Sequence, residues 1–143
     1  MKALAPLIPN NKETWTKIIN SYPEIDETIG DLPSSVGGTL KAHMDRLDVT
    51  VEELENLSGV SERTIKKIRN NNGSKIDIRF YVAICLGLNL EPPYSIDLLH
   101  KTRYQLNTDK ESTVFLMLLT TMYQSGIKAC NEEMIRNGLD PLT

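Results

Sequence analysis

The chain has 143 residues, 40% of them hydrophobic, which is enough to bury the core of one domain with an extension. Its formal net charge of −3 excludes the strongly basic composition of a nonspecific nucleic-acid-binding protein. No apolar run approaches the ~18 residues of a membrane span, and prolines interrupt the first nine residues, where a signal peptide would lie. We therefore expect a cytoplasmic protein without a membrane segment. Its two cysteines, Cys85 and Cys130, are interpreted as buried free thiols.

Residues 1–36 are predicted to form an N-terminal extension with one short helix. The apolar residues of that helix fall on a single stripe: Trp15, Ile18, Ile19 and Tyr22. Pro23 interrupts the helix, and the acidic segment Glu24 to Gly38, rich in proline, serine and glycine, predicts a linker or an ordered loop. The Trp15 helix either packs onto the main domain or docks a protein partner or second subunit, and the sequence leaves both open.

Residues 39–47 are predicted to form the next helix. Leu40, Met44 and Leu47 recur at helical spacing and are expected to face the core. His43 lies on the same helix and is expected to be an ordinary surface or rim residue.

Two short helices are predicted between Thr50 and Arg69. Thr50 is a suitable N-cap, and Glu53 three residues later completes a capping box. Leu54 and Leu57 are expected to face inward. Ser58-Gly59 ends this first helix, because glycine adopts the left-handed conformation at low cost.

The second of these helices carries the clustered positive charge of the chain. Ser61 caps it, and Ile65 and Ile68 face inward at i, i+3 spacing. Residues 61–79 hold six lysines and arginines against two acidic residues, a net charge of +4, so the basic charge is local although the whole chain is acidic. The segment Asn70 to Gly73 ends the helix. The positions expected to point outward are Glu62, Arg63, Thr64, Lys66, Lys67 and Arg69.

The remaining residues predict four more helices. Asp77 caps one that Gly87 ends, and Pro92-Pro93 opens another, near 93–103. Thr108 and Glu111 form a second capping box before a strongly apolar helix, and a last helix follows near 127–137. The hairpin of these two, 109–137, is expected to cover the domain, with a two-fold dimer seam as the close alternative.

The segment from about residue 38 to residue 104 resembles the lambda-repressor-like (Cro/repressor, or Xre-type) helix-turn-helix family. The resemblance implies an all-α fold: a five-helix helix-turn-helix domain at residues 37–104, between the N-terminal helical extension 1–36 and a C-terminal helical hairpin in 105–143. Glu55 departs from the pattern, because the family usually has a small residue there; its carboxylate is expected to stay in water. The matching residues are Leu40, Met44, Leu47, Leu54, Ser58-Gly59-Val60-Ser61, Thr64-Ile65, Ile68 and Val82 to Leu88.

The resemblance also implies roles for individual side chains, with residues 61–70 as the recognition helix in the major groove. Arg63 or Lys67 would pair with guanine, and Glu62 would accept a hydrogen bond from the amino group of cytosine. Phosphate contacts, which carry no sequence information, are assigned to Thr50, Ser61, Thr64, Lys66 and Asn70. For Thr50 and Ser61, helix capping alone is an equally weighted interpretation.

Patterns typical of enzymes are missing from the sequence. The two histidines, His43 and His100, have no ligand-type residue at metal-binding spacing, and the cysteines form no C-x-x-C pair. Phosphate-binding glycine motifs and a nucleophile elbow are also missing. We therefore predict a protein that is not an enzyme and uses no cofactor or metal.

Double-stranded DNA is the leading predicted partner. The leading hypothesis is a sequence-specific transcriptional regulator, repressor-like, acting as a homodimer on a palindromic operator. The alternative is a protein-interaction module, antirepressor or antitoxin-like, that reuses the same fold. The acidic surface outside 61–79, the Trp15 helix and the 109–137 hairpin motivate that alternative.

Overall fold

The structure is a computed structural model of the chain, and it describes residues 11–73 and 75–143. Over these residues it is all-α, with nine helices and no strand, which confirms the all-α part of the predicted fold class. The helices are α1 (Asn11–Asn20), α2 (Tyr22–Asp31), α3 (Val36–Leu47), α4 (Val51–Ser58), α5 (Glu62–Arg69), α6 (Ile78–Gly87), α7 (Pro92–His100), α8 (Lys110–Thr121) and α9 (Ile127–Arg136).

The chain divides into two compact units. The first ends at Asp31 and contains α1 and α2; the second, Leu32–Thr143, contains α3 to α9. Helices α8 and α9, which lie in the predicted C-terminal extension, therefore belong to the same compact unit as α3 to α7.

In the first unit, the prediction of a linker or loop from Glu24 onward is wrong, because residues up to Asp31 form α2. Pro23 is the second residue of this helix, a position where its missing N–H removes no intrahelical hydrogen bond. Ile25 and Ile29 then lie four residues apart on one face, and Ile25 is buried. The irregular connection is only the short segment 32–35.

Helix α3 begins earlier than predicted. The Ser35 hydroxyl accepts a hydrogen bond from the Gly38 N–H at 3.0 Å, so the helix starts at Val36 rather than near residue 39. Leu40 and Met44 are buried as predicted. Leu47, predicted to face inward, is instead 37% exposed at the last residue of the helix.

His43 is completely buried, so its prediction as a surface or rim residue is wrong. The Arg46 guanidinium donates to its Nδ1 at 2.9 Å, and the Tyr94 ring of α7 packs edge-on at 5.2 Å. Burial lowers the pKa of His43 to about 4, and the nearby positive charges of Arg46 and Lys101 act in the same direction, against the opposite effect of Asp97. The imidazole is therefore neutral in the folded protein at pH 7.

We expect the free energy of unfolding of the unit Leu32–Thr143, which contains His43, to fall as the pH drops from 7.5 to 5. The unfolded chain takes up a proton on His43 near its ordinary pKa of 6.5, whereas the folded chain, with a pKa of about 4, does not. Proton uptake therefore stabilises the unfolded state relative to the folded state by about 2 kcal/mol over this interval. Urea unfolding at pH 7.5 and pH 5 measures the loss. In the variant His43→Gln this contribution should vanish, and an equal pH dependence in both proteins would contradict the assignment.

Helix α6 is the most buried element of the core. Asp77 caps it as predicted, accepting from the Arg79 N–H at 2.9 Å. Gly87 was predicted to end the helix in the left-handed conformation; instead it is the last helical residue, and Asn89 takes the positive φ, 52°. A Cβ on Gly87 would meet the Cβ of Ser58 at 2.9 Å, so glycine is needed here for the close approach of α4 and α6.

Helices α8 and α9 pack on the core helices. Helix α8 contacts α6 and α7, and α9 contacts α6. The N-cap of α8 is Asp109, not Thr108 as predicted, because its carboxylate accepts from the Ser112 N–H at 2.7 Å. Both cysteines are buried free thiols as predicted, and burial raises the pKa of Cys85 to about 12 and that of Cys130 to about 11.

Candidate nucleic-acid interface

Helix α4 begins with the predicted capping box. The Thr50 hydroxyl accepts from the Glu53 N–H at 3.1 Å, and the Glu53 carboxylate accepts from the Thr50 N–H at 3.2 Å. Leu54 is buried as predicted, but Leu57 is 46% exposed, so its inward assignment is wrong. The buried position next to α6 is taken by Ser58, because only a small side chain fits against Gly87.

The turn from α4 to α5 is held from several sides. Gly59 has a φ of 77° and its N–H donates to the Glu55 carbonyl at 2.8 Å, as predicted for a glycine end. Val60 is buried. The Thr143 hydroxyl donates to the Ser58 carbonyl at 3.0 Å, so a residue far along the chain braces this turn. The arrangement of α4 and α5 therefore depends on a contact from outside the turn as well as on the turn itself.

Helix α5 has one buried face and one open face. Ser61 caps it as predicted, accepting from the Thr64 N–H at 3.2 Å, and Ile65 and Ile68 are fully buried against α3 and α4. Arg63, Lys66 and Lys67 lie on the opposite face and are exposed. The two isoleucines determine which way these cationic side chains point, because rotating the helix would expose the isoleucines.

Five of the eight predicted DNA-contacting residues line one shallow surface depression along α5. Thr50, Ser61 and Thr64 do not line it; they lie at the N-cap positions and in the first turn. Sequence reasoning missed Asn72, which joins the depression from the loop after the helix. The one sequence signal for Asn72 is its position, three residues after the last residue of α5. The lining residues are Glu62, Arg63, Lys66, Lys67, Asn70 and Asn72.

The charges in this depression are only partly paired. Lys66 Nζ lies 3.3 Å from a Glu62 carboxylate oxygen, with the two side chains 60% and 38% exposed, so water and salt screen the pair and a ligand can separate it. Within residues 11–73 and 75–143, neither Arg63 nor Lys67 forms an ion pair. These two cations are therefore available for an anionic or electron-rich ligand.

Glu55 does not lie where it was expected. Its carboxylate was predicted to stay in water, but Oε2 accepts a hydrogen bond from the Glu62 N–H at 2.6 Å. Glu62 is the first residue of α5, and its N–H is one of the groups that a helix cannot satisfy internally. The favourable interaction of an anion with the positive end of the helix dipole stabilises this arrangement.

The C-terminal end of α5 is anchored to α3. Asn71 has a φ of 59°, and its Oδ1 accepts from the Gly37 N–H of α3 at 2.9 Å. The Asn72 N–H donates to the Lys67 carbonyl at 2.8 Å and closes the last turn. The predicted end of the helix at residues 70–73 is confirmed. Both ends of α5 are thus held by other parts of the fold.

Compared with known protein families, with curated proteins and with solved structures, the chain has no match. In the part of the chain that the structure describes, no three histidine, cysteine or acidic side chains are placed to hold a metal ion together. Nor does any helix in that part have the length and apolar character to cross a bilayer. The role of the depression along α5 must therefore be inferred from its own geometry and charge.

Proposed function

We propose that this protein is a sequence-specific DNA-binding transcriptional regulator and that α5 is its major-groove recognition helix. The observation that carries the proposal is the orientation of α5. Ile65 and Ile68 lock the helix against α3 and α4, and this leaves Arg63, Lys66 and Lys67 on an open face. A rigid helix with an exposed cationic face fits the major groove in width and in charge.

The arrangement of helices supports the lambda-repressor-like architecture as part of this proposal. Helices α3 to α7 are five helices within residues 36–100, the number and chain order that the resemblance implies. Helix α4 is joined to α5 by a turn of only three residues, 59–61, and packs against it. In such a pair the first helix braces the second, which enters the groove.

The geometry is compatible with distinct roles for the exposed side chains. Arg63 and Lys67 would donate to guanine O6 and N7, and Glu62, after separating from Lys66, would accept from cytosine N4. Lys66 and Asn70 would contact phosphates and set the register of the helix.

Of the three hydroxyl residues, Ser61 has less capacity for a phosphate contact than its sequence position suggests, whereas Thr50 and Thr64 keep theirs. The oxygens of Thr50 and Ser61 already accept backbone hydrogen bonds, and the Ser61 hydroxyl donates to Thr64 Oγ1 at 2.9 Å. Thr64, which accepts that bond, keeps its own hydroxyl proton for a phosphate. Thr50 can cap its helix and donate to a phosphate at the same time.

Selection of bound sequences from a pool of random duplexes tests the proposal. We expect one enriched motif, whose binding weakens steeply as salt rises because counterions are released from the neutralised phosphates. A two-fold symmetric motif, with half-sites about 34 Å apart, would also support the proposed homodimer. The absence of any enriched motif, together with no retention on duplex DNA at low salt, would overturn the proposal.

One observation favours a protein-interaction module as the second candidate. Leu116 of α8 is 45% exposed and lines a mainly apolar depression between α7 and α8, with Ile96, Leu99 and Leu106. In this second candidate function, the depression would receive apolar side chains of a protein partner. Binding of a partner there would depend weakly on salt, in contrast to DNA binding, so a salt titration separates the two candidates.

A further inference from the structure

Residues 139–143, which we call the strap, run from shortly after α9 back to the turn between α4 and α5. The strap contains no regular secondary structure. At its start, the Leu139 N–H donates to the Met134 carbonyl of α9 at 3.0 Å. Further along, the side chain of Leu142 is buried, with 1% of it exposed. The strap therefore lies on the domain in a defined position.

Asn131 of α9 holds Leu142 and Thr143 of the strap. Its Oδ1 accepts hydrogen bonds from the N–H of Leu142 at 2.8 Å and from the N–H of Thr143 at 3.4 Å. Its Nδ2 donates to Thr143 Oγ1 at 3.4 Å, and that hydroxyl donates to the Ser58 carbonyl at 3.0 Å. Ser58 is the last residue of α4, so its carbonyl has no partner within that helix. A continuous chain of hydrogen bonds thus joins α9 to the end of α4.

Thr143 also fills the space beside the turn itself. A Cβ on Gly59 would collide with the Thr143 hydroxyl and would lie 3.0 Å from the Thr143 Cβ. The strap therefore contacts the backbone at Gly59 and is bonded to the residue before it. Helix α5 begins only three residues after Gly59, at Glu62. A shift of this turn would change the position at which α5 begins.

We propose that Thr143 and Asn131 are positioning residues for sequence-specific DNA recognition, which act by holding the turn between α4 and α5. The inference rests on the proposed function. Hydrogen bonds to base edges need donors placed to within about 0.5 Å, whereas affinity for nonspecific DNA comes almost entirely from the attraction between charges. Neither residue has a charged side chain, so loosening the strap leaves that attraction unchanged. It should weaken binding to the operator and leave binding to a random duplex as it is.

Hydrogen exchange of backbone amides tests the strap without DNA. In Thr143→Val, which keeps the size of the side chain and removes its hydroxyl, the amides of Gly59 and Val60 should exchange about fivefold faster. Amides in the middle of α6 should exchange as in the wild-type protein, and Thr143→Ser should restore the wild-type rates at the turn. The matched control is Thr113→Val, which removes a hydroxyl that donates to the Asp109 carbonyl at 2.7 Å, at the start of α8. Equal exchange at the turn in Thr143→Val and the wild-type protein would overturn the proposal.

Fluorescence anisotropy with the enriched operator and with a random duplex tests the effect on recognition. Thr143→Val should bind the operator about fivefold more weakly and the random duplex with wild-type affinity, with an unchanged slope of log affinity against log salt. Asn131→Ala should give the same pattern. Combining the two substitutions should add little, because both interrupt one chain of hydrogen bonds. An equal loss of affinity for both duplexes would indicate a general loss of folded protein and contradict the role in positioning.

The outcomes distinguish this inference from the proposed function. If the wild-type protein binds no duplex, the proposed function and the role in recognition both fail, while hydrogen exchange still shows whether the strap holds the turn. If the wild-type protein binds its operator and Thr143→Val binds it equally well, only the inference fails. Urea unfolding checks that each variant stays folded, and if Asn131→Ala unfolds, Thr143→Val and Thr143→Ser decide the question.

Discussion

Replacing Arg63 and Lys67 together by alanine should weaken binding to the enriched operator by about 100-fold or more. Each side chain that pairs with a guanine edge contributes about 1–3 kcal/mol of discrimination, and the two contacts are expected to act on different base pairs. Both side chains are exposed, so the fold should be unaffected. Fluorescence anisotropy with the operator and with a random duplex, at one fixed salt concentration, measures the loss. We expect the ratio of operator affinity to random-duplex affinity to fall.

Lys66→Ala is the matched control, because it removes one positive charge from the same face of the same helix. It should weaken binding to all duplexes alike and reduce the slope of log affinity against log salt by about one unit. Its ion pair with Glu62 is exposed and screened, so breaking this pair should change the affinity for either duplex little. If the variant with both Arg63→Ala and Lys67→Ala binds the operator as tightly as the wild-type protein does, α5 is not the recognition helix.

Gly37→Ala should destabilise the unit Leu32–Thr143 by about 3 kcal/mol. The first turn of α3 lies directly against the last turn of α5. A Cβ on Gly37 would collide with the Ile68 carbonyl oxygen and would lie 2.7 Å from that of Arg69. Backbone atoms cannot move aside as the end of a flexible side chain can. The same methyl group would press on Asn71 Oδ1 and disturb the hydrogen bond from Gly37.

Gly30→Ala is the control for this substitution. Gly30 is also helical, in α2, but a Cβ there would meet no atom within 4 Å among the residues that the structure describes. Alanine should therefore leave the stability of Leu32–Thr143 unchanged and favour α2 by up to about 1 kcal/mol. Urea unfolding of the two variants beside the wild-type protein makes the comparison. A loss below about 1 kcal/mol for Gly37→Ala would mean that α3 can move away from α5 at little cost.

Several features of the candidate site could be predicted from local sequence. Thr50, Ser61 and Asp77 cap the helices they were expected to cap, because a capping side chain reaches an amide only two or three residues away. Gly59 takes the left-handed conformation for an equally local reason. The inward stripe of Ile65 and Ile68 follows from helical spacing, and it determines which face of α5 is open.

Other predictions failed because they depend on neighbours that are distant in sequence. His43 was assigned to the surface, but Tyr94 packs on it and the core encloses it. Leu57 was assigned to the core, but the close approach of Gly87 gives the buried place to Ser58. Spacing within one helix defines a stripe only to within about one residue, and the partner helix decides which residue at its edge is covered.

The sequence by itself determined the helical fold class, most helix starts and the cationic face of α5, since each depends on residues within about two turns of one another. Only the tertiary structure decided where Glu55 and Asn71 direct their side chains, and how the two ends of α5 are held. Those contacts join α5 to α4 and to α3 through single hydrogen bonds whose partners lie 7 and 34 residues away. No local pattern specifies such pairs, because they form only after the buried faces of the helices have packed.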